Sequence, residues 1–205
     1  MTLIELLVAA VMGLIVLGAA LSFLNALTRA GANDQARNVS LVEEDADLAH
    51  MTRDISQTYA LNSPLKEEKT NIADFDAWLG SPQQNRRVVY NCSVATSIAN
   101  VQKCVRYEMP ASDKTAVAEL GKDAQASSSI AIPRLLNGTG ASPVFSFKKD
   151  ARETETGKGR PSYVAIELKT PGQGELAKYV NQAGLYTYAI TLRNSVYLRN
   201  LDLAE

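Results

Sequence analysis

Between Thr2 and Thr28 the chain carries one ionisable side chain, Glu5, in the run TLIELLVAAVMGLIVLGAALSFLNALT. As an α-helix rising about 1.5 Å per residue, Thr2 to Leu27 spans about 38 Å, more than the roughly 30 Å hydrocarbon core of a bilayer. A secretory signal peptide would be apolar too, but with a positive n-region and a shorter core ending in an A-x-A-like site. No Lys or Arg precedes this run, so it does not read as a normal signal peptide. A carboxylate inside a membrane costs about 2.5–3.5 kcal/mol on insertion scales, so Glu5 calls for a partner.

Helical character continues beyond the apolar run while the composition changes. In GANDQARNVSLVEEDADLAHMTRDISQTYAL, from Gly31, the residues Val39, Val42, Ala46, Ala49 and Ile55 fall at spacings near three and four. Glu43, Glu44, Asp47, Arg53 and Asp54 occupy other faces. One helix is therefore expected from near Thr2 to near Tyr59, apolar in its first half (1–30) and amphipathic in its second (31–61). Asn62-Ser63-Pro64 ends it, because the residue before proline is pushed out of the helical region. Gly13, Gly18 and Gly31 are its weak points, each costing up to about 1 kcal/mol relative to alanine.

The remainder, 62–205, reads as a β-rich head. FDAWLG suggests a short helical turn closed by Gly80. RRVVYNCSV and QKCVRYEM are β-branched and aromatic and flank a loop centred on Ser97-Ile98-Ala99-Asn100. PVFSF, SYVAIEL and the pair LYTYAITL and SVYL add further strands. Val164, Ile166 and Leu168 alternate with Tyr163, Ala165 and Glu167, the period-two pattern of a half-buried strand. DAQASSS, NGTGASP and KKDARETETGKGRP read as polar linkers, the last as a mobile surface loop. The expected class is thus α+β, with the amphipathic half of a long helix packed on an antiparallel sheet and the apolar half projecting into a membrane or other subunits.

Residues Thr2–Ala9, TLIELLVA, resemble the mature N-terminus of type IV pilins and type II secretion pseudopilins, in which FTLIEL places glutamate fifth. Here MTLIEL puts Glu5 in that register. The order of long helix, loop and antiparallel sheet is similar to that family, as is a cysteine pair in the head. Position 1 is Met rather than the common Phe, and position 22 is Ser where many major pilins carry a helix-breaking proline. The resemblance implies a leader removed by a prepilin peptidase, N-methylation of residue 1, and polymerisation through the helix. It assigns assembly to Met1, Thr2, Leu3, Ile4 and Glu5, with the Glu5 carboxylate meeting the residue-1 amine of a neighbouring subunit, and helix loosening to Gly13 and Gly18. Its partners would be copies of itself or other pilins, the peptidase, an assembly ATPase and a platform protein. Its location would be the inner membrane before assembly and a cell-surface filament afterwards. An exported head and strand-like settings on both sides favour a Cys92–Cys104 disulfide over two buried thiols.

Other features carry less. A formal net charge of -1 gives no electrostatic case for nucleic acid. His50, the single histidine, reads as packed or solvated. Glu43, Glu44, Asp45 and Asp47 read as a solvated helix face, since they lack the loop spacing of known calcium sites. Asn38, Asn91 and Asn137 open N-glycosylation triplets, and Asn137, in an expected exposed loop, is the best candidate. Tyr163, Tyr186, Tyr188 and Tyr197 read as sheet packing. No nucleophile elbow, metal-ligand pair or phosphate-binding glycine loop is present, so neither an enzyme nor a cofactor is expected. The competing reading is a membrane-tethered periplasmic binding or sensor domain that never polymerises.

Overall fold

The computed structural model describes residues 3–80, 84–122, 126–149, 161–171 and 189–198. A single α-helix, α1 (Leu3–Ser56), runs unbroken for 54 residues, about 80 Å. Gly13, Gly18 and Gly31 do not interrupt it, and a side chain at any of the three would meet open space. The helix stops three residues before the expected Tyr59. Ser56 Oγ caps the Arg53 carbonyl, and the Gln57 amide bonds to the Asp54 carbonyl. The next residues form strand β1 (Thr58–Ser63), which the helical reading had absorbed. β-Branched and aromatic residues at Thr58 and Tyr59 suit a strand, and pairing supplies backbone bonds that helix extension cannot match.

Eight further strands follow: β2 (Glu68–Thr70), β3 (Ile72–Leu79), β4 (Gln84–Ala95), β5 (Gln102–Pro110), β6 (Ser127–Leu135), β7 (Phe145–Lys148), β8 (Tyr163–Thr170) and β9 (Ile190–Tyr197). They form two antiparallel sheets, ordered β1-β3-β4-β5-β6 and β2-β7-β8-β9. The chain crosses from the first sheet into the second at β2 and back at β3, which ties the two together. SYVAIEL behaves as its alternation requires: Val164, Ile166 and Leu168 are buried, and Tyr163, Ala165 and Glu167 face outward. The loop between β4 and β5 turns at Asn100, whose φ is +61°. The two cysteines on those strands are joined as a Cys92–Cys104 disulfide, and both are fully buried.

Two local readings are corrected. FDAWLG is not a helical turn but the body of β3, closed by Gly80 at φ +85°. Its alternation sends Ala73, Phe75 and Ala77 inward, while Asp74 and Asp76 face out. The two aspartates are nevertheless buried, because Arg87 of β4 forks onto Asp74 at 2.9 and 2.7 Å and Asn62 of β1 donates to both. The linker reading of DAQASSS fails from Ser127 onward, where β6 begins. Tyr186, Tyr188 and most of the loop 148–161 lie outside the described residues.

The core sits where the last third of α1 meets both sheets. Leu48, Met51 and Ile55 pack with Phe75, Tyr90 and Phe145 in one continuous cluster. A smaller cluster of Val89, Met109 and Leu120 lies on the opposite face of the first sheet, beneath a 3-10 turn at Val117–Lys122. The apolar stripe expected on the helix is therefore rotated. Ala46 and Ala49 are exposed, as are Val39 and Val42, and of the five expected residues only Ile55 is buried. Leu48, Met51 and Ile55 share the same three-and-four spacing but offer more apolar area than alanine, so they claim the sheets.

Candidate functional site

From Leu7 to Ala32 the helix has a mean hydropathy of 2.6 over its apolar window, and none of that window is buried against the rest of the chain. Leu3 and Ile4 are 85 and 74% exposed, and Leu14 and Phe23 are about as open. Twenty-six residues correspond to about 39 Å, so the segment is long and apolar enough to span a membrane. No sheet or loop among the described residues covers it. The apolar surface of Leu3, Ile4, Leu7, Val8, Val11 and Leu14 thus surrounds the helix rather than forming one stripe. A helix apolar all round is stable in lipid or inside a bundle of other helices, not in water. Met1 and Thr2 lie outside the described residues, as does the side chain of Glu5.

At the other end, the helix is joined to the head by charge as well as packing. Asp54, on the last turn of α1, is buried and accepts from the Tyr90 hydroxyl at 2.8 Å and from Arg106 Nε at 2.7 Å. Arg106 also donates to Glu108 at 2.7 Å. Burial and the Asp54 charge push the Tyr90 phenol well above its usual range. Burial opposes the Arg106 charge, but Asp54 and Glu108 outweigh it, so the guanidinium stays charged. Further along the contact, Asn194 of β9 donates to Thr52 at 3.0 Å. His50 Nδ1 lies 3.8 Å from Asp54 and is largely exposed, at the edge of this joint.

The head's other predicted residues divide. The disulfide closes a 12-residue separation between neighbouring strands. Asn137 is a correction. It is fully buried, its Nδ2 donates to the Glu167 carbonyl, and its Oδ1 accepts from the Lys169 amide. Its expected exposure as a glycosylation acceptor fails because that amide is spent pinning the 137–143 turn to β8. Gly138, next to it, has φ +98°, and a Cβ there would overlap the Cys92 carbonyl oxygen. Glu44 is a second correction, buried rather than solvated, with its carboxyl pushed up by that burial and by Asp47 and Glu43. The Tyr163 and Tyr197 rings pair across strands at 5.8 Å, on the outward face of the second sheet rather than in the core.

A cleft of about 610 Å³ lies on that outward face, among Lys69, Ser146, Lys148, Glu167 and Arg193. Lys169 and Arg193, each 2.9 Å from Glu167, hold its carboxyl below the usual range. Among the described residues, no histidine lines the cleft. Among the described residues no group of three or more His, Cys, Asp or Glu side chains is placed to hold a metal ion. The feature that demands a function is the uncovered helix. Compared with family models, curated proteins and solved structures, the chain matches none significantly.

Proposed function

We propose that this chain is a structural subunit of a type IV pilus or pilus-like filament, stored in the inner membrane and polymerised through its N-terminal helix. The head would form the filament surface. One observation carries the reading: among the described residues nothing buries the apolar segment Leu7–Ala32, although the same helix is docked from Leu48 onward. Lipid can cover that segment before assembly and the same segments of other copies afterwards. Burial of apolar area supplies cohesion of about 25 cal/mol per Å² once the helices leave lipid for a filament in water. Within the membrane that term is absent, so extraction calls for an external motor, in keeping with the assembly ATPase and platform protein that the resemblance implies.

TLIEL supplies the registry. Glu5 would meet the residue-1 amine of an adjacent subunit, with Met1, Thr2, Leu3 and Ile4 packing around the pair. In a dry core a missing partner is strongly penalised, so the charge selects one stagger over others. Glu5→Leu should leave the protein in the membrane fraction and lower its yield in sheared surface filaments by more than about tenfold, given the cost of an unpaired carboxylate at depth. Normal yield from that variant would count against the proposal and favour the alternative of a membrane-tethered, non-polymerising periplasmic domain.

A further inference from the structure

Val39, Val42 and Ala46 have the spacing of a packing ridge, yet the head takes the other side of α1. Each residue turns an α-helix by about 100°, so these three fall opposite Leu48, Met51 and Ile55, which the head buries. Val42 is 71% exposed and Val39 49%, and Ala46 is exposed as well. Glu43 and Asp45, both exposed, stand on either flank of the ridge. From Asn38 to Thr52 the sequence has four carboxylates and no Lys or Arg. The side of α1 turned from the head is thus an apolar ridge with acidic borders.

The outward face of the second sheet has the converse form. Lys69, Ser146, Ala165 and Ser195 stand in one register row across β2, β7, β8 and β9. The three small side chains floor the cleft of about 610 Å³, with Lys69 and Lys148 at one border and Arg193 at the other. Glu167 is the one carboxylate in that lining, and Lys169 and Arg193 already neutralise it. Three strand spacings of about 4.8 Å put β2 about 14 Å from β9, and a helix with its side chains is about 10–12 Å across. A helix laid along β7 and β8 therefore fits between the cationic borders. The chain's own α1 packs on the inward face of this sheet, among Phe145, Val164 and Ile166, so it cannot be that helix.

We infer that this face receives α1 of a second copy, with Val42 and Ala46 on the small-residue floor and Glu43 and Asp45 toward opposite cationic borders. This contact rests on the polymerising reading and names the surfaces through which one head meets the next subunit. Ridge and cleft are different patches, so the contact does not close on itself and can repeat from copy to copy. Its charge pairs lie at the rim, where they steer encounter and fix register more than they add affinity.

The test uses the full chain in detergent micelles, as a mixture of one variant carrying Val42→Cys and another carrying Ala165→Cys. Mild oxidation should give a disulfide joining positions 42 and 165 of two different copies, identified by mass spectrometry of the digested pair. Salt at about 0.5 M should lower its yield by screening the rim. Glu43→Lys with Asp45→Lys in the first variant changes exposed residues alone and should lower the yield at least about fivefold. Lys69→Glu with Arg193→Glu in the second variant should then restore it. Absence of the mixed pair would overturn the inference, as would a yield that the helix reversal does not lower or that the second reversal does not restore. Sheared filaments of the unmodified chain judge polymerisation separately. A mixed pair without filaments keeps the contact and removes the filament, and filaments without the pair do the opposite.

Discussion

Asp54 is the residue on which the joint between helix and head turns. It gathers the Tyr90 hydroxyl and the Arg106 guanidinium at the last turn of α1, and all three are largely withdrawn from water. Asp54→Ala leaves a buried arginine half-paired and a buried phenol without its acceptor, so it should cost about 3 kcal/mol in chemical denaturation of the full chain in micelles. Tyr90 gives the same joint a pH signature. Its pKa is raised in the folded state above the unfolded value of 10.0, so the native state holds that proton more tightly. Stability from this group is complete below pH 10 and falls as pH rises beyond it. Tyr90→Phe should therefore show a shallower alkaline loss than the unmodified chain. Absorbance of tyrosinate at 295 nm should show one tyrosine that ionises only on unfolding.

Among the elements, the β4–β5 hairpin is the one held covalently. Closing 12 residues of separation restricts the unfolded chain by about 3 kcal/mol, so Cys92→Ala with Cys104→Ala should destabilise the head by about that amount. Gly138→Ala should also destabilise it, by at least about 1 kcal/mol, because both its φ and its closeness to Cys92 exclude a Cβ. Thermal unfolding of the two variants checks both figures. Strands with clean alternation, such as Tyr163–Thr170, were legible in the sequence because one face is apolar and the other polar. β3 was not, since Asp74 and Asp76 look like turn residues until Arg87, distant in sequence, is brought beside them. β6 was half hidden because Ser127, Ser128 and Ser129 are paired by β5 despite weak strand propensity. The end of α1 was misread for a related reason: Thr58 and Tyr59 are a short strand signal, and it is pairing with β3 that makes them β1. Glu44 and Asn137 are residues whose burial comes from tertiary contacts alone, so their types suggested the surface.

On the scale of the whole molecule, the chain combines a self-packed head with a helical segment long and apolar enough to span a membrane. The head closes its own core, with Tyr90, Phe75 and Phe145 fully buried. The first half of α1 is left uncovered by the other described residues. That division was plain in the sequence, because 26 residues of high hydropathy need no tertiary context to be recognised. What covers the segment is the central question, and one measurement addresses it directly. Intact mass and N-terminal sequence should be determined for the protein recovered from the native membrane and from material sheared off the cell surface. A filament subunit should be found in both fractions, with residue 1 methylated in the sheared one and its amine free to meet Glu5. A chain confined to the membrane and absent from sheared material would contradict polymerisation and leave lipid as the permanent cover of Leu7–Ala32.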